Sequence, residues 1–411
     1  MKITSKNWVF ILIFNLFIVA VLGTLMRYKI AFEFPFFQQK NLLHSHSHFA
    51  FSGWISQTLF FLIILSQKEG FYKKYNVLLI SNLICSYGML FSFIVQGYGL
   101  ISIILSTLSI IITYLFTYYF FKDYREGTLS NLWIKGGLFF NLISSLGTLF
   151  LAYMLAAKTI HENFYYFSIY FYLHFQYNGW FFFTIIGLFI SRLSLNNKLA
   201  KQVKKYFYIF SISCILTYML SILWAEIPKW IFILTAIFTF LQFYFWLKMQ
   251  YIFIVSFKDE YKKLSLVLRG ILLIVLIATT LKFILQIGLF IDELRLFVYG
   301  NRTIVIGYLH LIFLCIVTLF LLAFMCINKL FHLRKNTKLG LVIFCIGVIL
   351  NQVFLFTQGG LPYFNIYLPF TNEVLVYISL LIVMGIMLLL VSQTISGDKN
   401  NEGISLNKSK L

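Results

Sequence analysis

Twelve stretches of this 411-residue chain are each long and apolar enough to cross a bilayer as a helix. A hydrocarbon layer of roughly 30 Å needs about 20 residues at 1.5 Å per residue. The stretches cover 8–27, 47–66, 76–96, 99–121, 133–157, 167–191, 205–223, 228–247, 264–288, 303–327, 338–357 and 372–394. Hydrocarbon offers no water to the backbone, so such segments fold as helices that satisfy their own N–H and C=O groups. Composition agrees: 61% of residues are hydrophobic and 11% charged, against roughly half and a quarter in a soluble domain. The expected fold is therefore an all-α integral membrane protein of about twelve transmembrane helices over 1–396. The polar stretch 397–411 is expected to be a disordered tail. The first apolar run is too long for a signal peptide and lacks a small-x-small cleavage site, so it is expected to stay as the first span.

The net charge of +20 does not point to nucleic acid, because the Lys and Arg residues sit in short clusters between apolar segments. With the N-terminus inside, 25 of the 33 basic residues fall on the inner side. Seven lie on the outer side: Arg27, Lys29, Lys40, Lys158, Lys229, Arg295 and Arg302. By the positive-inside rule both termini are expected in the cytoplasm, in a bacterial-type inner membrane. The partners expected are the lipid bilayer and a further subunit or electron donor. Cys85, Cys214, Cys315, Cys326 and Cys345 all lie in apolar stretches without CxxC spacing, which predicts buried free thiols. No CxxCH is present, so a covalent c-type haem is excluded within the chain.

Five of the seven histidines fall in or beside spans 2, 6 and 10. HFAFSGW at 48–54 and HFQYNGW at 174–180 share His, Phe, Gly and Trp in register, and HLIFLCI at 310–316 keeps the His and an aromatic. His48 to His174 is 126 residues and His174 to His310 is 136, four spans each. This spacing predicts an internal repeat of about four helices, with one His per repeat around a common axis. All three sites are expected in the outer half of the membrane. Neutral imidazole is the commonest protein ligand for iron, copper and zinc, and ionisable groups inside spans usually face the bundle interior. At 100° per residue His44 and His48 share one helix face and His46 takes the opposite one.

The candidate haem ligands are thus His46, His48, His174 and His310, and the candidates for a second metal, copper or another transition metal, are His44, His48 and His174. His48 and His174 are expected to face one another across one site. Gly53 and Gly179 leave room there for a macrocycle or a neighbouring helix, with Trp54, Tyr177, Asn178 and Trp180 as supporting residues. Arg27, Lys282, Arg295 and Arg302 are candidate contacts for a haem propionate or other anion, although snorkelling outward is the simpler expectation for Lys282. Plainer roles compete: His310 as a helix–helix hydrogen bonder, His44 as a solvated interface residue, and His161 and His332 as solvated loop residues.

Twelve spans with histidines in spans 2, 6 and 10 resemble the haem–copper oxidase subunit I superfamily. HSHSHFAFSGW is similar to its span 2 His-x-His stretch, YLHFQYNGWFF to its span 6 copper-ligand segment, and GYLHL to its span 10 ligand segment. The NnrS-like haem-and-copper membrane family linked to nitric-oxide resistance is a second resemblance. The superfamily implies three pseudo-symmetric four-helix arcs, non-covalent haem and oxidoreductase or electron-transport chemistry. The sequence departs from that pattern in ways that bear on activity. Span 7 has no His, span 10 has one rather than two, Asn178 stands where many oxidases carry a cross-linked Tyr, and none of the 13 carboxylates is mid-span. The expected role is redox or nitric-oxide-related rather than that of a complete proton-pumping oxidase. The alternatives are a divalent metal-ion transporter using outer-side histidines and a non-catalytic membrane subunit.

Overall fold

The computed structural model describes residues 4–67, 73–124, 127–159 and 161–394. The tail expected at 397–411 lies outside them, as do Lys2, Lys68 and Arg125. Among the described residues the chain is helical and has no strands. The first five membrane helices are α1 (Ser5–Ala31), α2 (Gln39–Leu65), α3 (Lys73–Gln96), α4 (Leu100–Asp123) and α5 (Leu129–Ala156). Next comes α6, which runs as Glu162–His174, Phe175–Phe181 and Phe182–Ile190 without a break. The rest are α7 (Asn197–Ile222), α8 (Lys229–Lys263), α9 (Leu266–Gly288), α10 (Arg302–Ile327), α11 (Lys335–Phe364) and α12 (Thr371–Thr394). A short helix, Asp292–Gly300, precedes α10.

Eleven of these helices are long and apolar enough to cross a membrane among the described residues. The exception is α6, whose Tyr, His, Gln and Asn residues lower its hydropathy although its backbone is as continuous as the others. The span expected at 228–247 extends to Lys263 and reaches 35 residues, because a helix does not stop where its hydropathy does. The N-termini that carry side-chain caps use small polar residues: Thr4, Thr128, Asn196 and Asn301 each accept from a backbone N–H of the first turn. All five cysteines are buried and free.

Three helices enclose the centre. In the most apolar window, 72% of α2 and 78% of α10 is buried, against 17% of α4, and nearly all of α6 after His174 is buried. Phe51 of α2, Phe181 of α6 and Phe313 of α10 form a triangle of rings, with centroids 5.6, 4.9 and 6.2 Å apart. Each of these helices also contains a π-helical stretch just past its histidine: Ala50–Ser56, Phe175–Phe181 and Leu311–Thr318. A π stretch is rare, re-aims the side chains that follow, and concentrates at functional sites. Carbonyls near the first stretch find side-chain partners. Asn15 Nδ2 donates to Gly53 O at 2.6 Å and Thr58 Oγ1 to Trp54 O at 2.6 Å, as a low-dielectric surrounding demands.

The repeated tryptophans tie the centre together. Trp54 Nε1 of α2 donates to Thr318 Oγ1 of α10 at 3.0 Å, and Trp180 Nε1 of α6 donates to Ser56 Oγ of α2 at 3.2 Å. Counted from each histidine, the donor is six residues on and the acceptor eight residues on. At the α10–α6 junction those two positions hold Ile316 and Phe182, so no hydrogen bond closes it. Both indoles are fully buried. Trp54→Phe and Trp180→Phe are each expected to cost about 1 kcal/mol in unfolding measurements in detergent, the net value of one buried bond.

Around the centre, α1 packs against α12, so the first and last membrane helices adjoin. Buried amides join the helices between. Trp8 Nε1 donates to Asn76 Oδ1 at 3.1 Å, Asn82 Nδ2 to Gln57 Oε1 at 2.6 Å, and Gln176 Nε2 to Asn141 Oδ1 at 2.8 Å. Polar bonds of this kind hold membrane helices together where apolar burial gives no net drive.

Candidate functional site

The HSHSH stretch of α2 divides its imidazoles between two sides, as the helical period predicts. His46 turns to α1, where its Nδ1 meets the Val19 carbonyl at 3.1 Å. Val19, Gly23 and Arg27 lie four residues apart and so form one stripe on α1. A Cβ at Gly23 would stand 3.2 Å from His46 Cε1, so glycine leaves the space in which that ring sits. Arg27 acts electrostatically on His46. His310 of α10 completes the group: it interacts electrostatically with both Arg27 and His46, and its Nδ1 meets the Ile306 carbonyl at 2.8 Å.

A carbonyl only accepts, so the proton of each of these rings is on Nδ1 and the lone pair on Nε2. An Nδ1–H held by a backbone carbonyl is the usual support for a metal-ligating Nε2. His46 and His310 are thus two imidazoles of ligand-type tautomer, on α2 and α10, both influenced electrostatically by Arg27.

His44 and His48 occupy the other face of α2. His48 stacks on Phe93 at 4.3 Å and hydrogen-bonds Tyr98 through Nε2 at 2.9 Å. The His44 ring stands edge-on to Tyr98 at 4.6 Å, and its buried Nε2 has no hydrogen-bond partner. Tyr98 lies in the turn between α3 and α4, where Gly97 has a φ of 61°, a conformation that favours glycine. The flanking GYG at 97–99 was the available signal for this residue, and sequence reasoning missed it.

His174 is placed differently from what the repeat suggested. Its Nε2 donates to the Cys214 carbonyl of α7 at 2.8 Å, and its Nδ1 accepts from Asn178 Nδ2 at 3.1 Å. Both ring nitrogens are engaged by protein, so no lone pair is left for a metal. His48 and His174 share no hydrogen-bonding partner and sit in different clusters, one toward α3 and the other toward α7. Of the expected grouping, His44 and His48 share the cluster toward α3 and His174 stands in the one toward α7, while His310 has His46 among its electrostatic neighbours. Among the described residues no cluster of three or more His, Cys, Asp or Glu is poised to hold a metal ion.

The remaining expected residues fall as follows. Gly179 packs where a Cβ would meet Phe140 Cβ of α5 at 2.5 Å, so its role is helix contact, and Gly53 faces the Phe49 ring of its own helix. Tyr177 lies edge-on to Tyr308 and Phe313 of α10. Arg295 pairs with Asp292 at 2.7 Å, and Arg302 opens α10. His161 and His332 are exposed. Lys282 corrects a second expectation: it does not snorkel outward but is 3% exposed, with its Nζ 4.2 Å from the Phe283 ring centroid and 5.5 Å from that of Phe182.

Set against protein-family models and against curated proteins, the chain matches none.

Proposed function

We propose that this chain is a haem-binding integral membrane protein with the helix arrangement of haem–copper oxidase subunit I. Its three four-helix repeats would carry α2, α6 and α10 at equivalent positions, with both termini in the cytoplasm. The observation that carries the haem reading is the pair His46 and His310, each with Nδ1 on a carbonyl and each under the electrostatic influence of Arg27. The repeat is supported by the three π-helical stretches, the ring triangle and the two indole bonds at equal offsets. Both termini inside follows from the basic-residue distribution.

A haem held by two imidazoles supplies one-electron redox chemistry. The chain's own residues do the rest. The carbonyls of Val19 and Ile306 fix the tautomers, Gly23 leaves room at the His46 ring, and Arg27 offers a cation to a propionate. Held by His46 and His310 together, such a haem group would supply electron transfer or sensing rather than oxygen reduction. The test is haem-replete expression followed by haem quantitation on the purified protein. One non-covalent haem per chain is expected, and a protein that stays colourless after such expression rules the reading out.

A further inference from the structure

A cleft of about 350 Å³ opens between α6, α8, α9 and α10, at the one central junction that lacks a tryptophan bond. Ile316 and Phe182, the residues standing at the donor and acceptor positions, are both part of its wall, with Trp246, Phe253 and Leu276. The volume lies within the range of small-molecule sites. Toward the outside of the bundle the lining residues Ile254 and Leu273 are 58% and 51% exposed, so the cleft meets the bilayer hydrocarbon. Lys282 lines it as well, 97% buried on α9. The ion pairs of the described residues involve other side chains, and the contacts of Lys282 are two aromatic faces and the electrostatic proximity of His174 and Cys214. Aromatic faces compensate a buried ammonium only in part, and an ionisable group at membrane depth is a site marker whose partner must be named.

We infer that the cleft binds a single-chain amphiphile with a carboxylate head, a free fatty acid, whose head pairs with Lys282 and whose chain lies along α9 toward Leu272. Lysine offers only donors, and a carboxylate forms the charge-assisted bonds that a neutral carbonyl does not. From Lys282 back to Leu272 the helix rises about 15 Å, and Thr279, Leu276, Val275 and Leu272 line that path. The chain would enter from the bilayer between Ile254 and Leu273. This site is separate from the His46–His310 pair and stands whether or not haem binds there.

The experiment is equilibrium binding of radiolabelled palmitate to the full chain in nanodiscs, with methyl palmitate as competitor. Saturable binding of one palmitate per chain is expected, with the ester at least about ten-fold weaker. Lys282→Met should weaken palmitate by about ten-fold or more, the worth of one charge-assisted bond, while Lys282→Arg retains it. Leu276→Trp should fill the cleft and remove binding with the lysine intact. Equal affinity for palmitate and its ester would mean a neutral head, such as that of a quinone, and would overturn the proposal. So would undiminished binding in a folded Lys282→Met protein, or no saturable binding in the unaltered chain.

Discussion

Alanine at either His46 or His310 is expected to remove the haem absorbance of the protein, with occupancy falling at least ~100-fold, while His174→Ala leaves it in place. Loss of a supporting group beyond the first ligands already costs about 10–100-fold in metal affinity, and loss of a ligand costs more. The contrast among the three histidines is the informative part. His46 and His310 each present an Nε2 lone pair, because a carbonyl holds the other nitrogen. His174 presents none, because Cys214 and Asn178 hold both. His174→Ala should instead weaken the α6–α7 contact and lower the unfolding temperature. Haem absorbance and unfolding midpoint, measured on all three variants, separate the two roles. Loss of haem in His174→Ala with retention in His46→Ala would reverse the assignment.

The largest effect on stability is expected from Gly385→Leu. The α11–α12 interface is a seam of glycines that lets the two backbones come close. A Cβ at Gly385 would stand 2.6 Å from Phe344 N and 2.8 Å from Phe344 Cα. Across the same seam Gly340 would meet Gly385 O at 3.0 Å, and Gly347 would meet Ile382 Cγ1 at 2.8 Å. Backbone atoms cannot swing aside as a side-chain tip can, so the helices must part, at a cost of about 1–3 kcal/mol or more. Since α12 also packs on α1, the Val19–Gly23–Arg27 stripe should loosen and haem occupancy should fall with stability. Gly270→Ala on α9 is the control: a Cβ there meets nothing within 4 Å, and relief of glycine's backbone entropy makes it neutral or slightly stabilising. Thermal unfolding in one detergent compares the two directly.

The membrane helices were legible because hydrocarbon allows the backbone so few solutions. Hydropathy located the eleven helices apolar enough to cross, and the sixth expected span falls on α6, a continuous helix whose polar residues engage His174 and the α5 amides. Helical period also placed His46 opposite His44 and His48, since 100° per residue is a property of the backbone. What the sequence could not disclose is which atom each ring nitrogen meets. The partners that decide ligand character are the carbonyls of Val19, Ile306 and Cys214, and a carbonyl has no residue signature. The repeat of HFAFSGW and HFQYNGW proved a marker of shared backbone form, a π-helical stretch with a buried indole six residues past the His, more than a marker of shared ligation. The third stretch, in α10, keeps that form without Gly-Trp, and its His and aromatic were the only trace of the match in the sequence. The cleft beside Lys282 lies at the junction where Ile316 and Phe182 stand at the donor and acceptor positions.

Whether two imidazoles share one iron is read most directly by electron paramagnetic resonance on the oxidised, haem-replete protein. A low-spin ferric signal of bis-imidazole type, accounting for one iron per chain and lost in His310→Ala, is the predicted result. A high-spin signal from iron with an open position would contradict the ligand pair, and a chain without haem iron would contradict the proposed function itself.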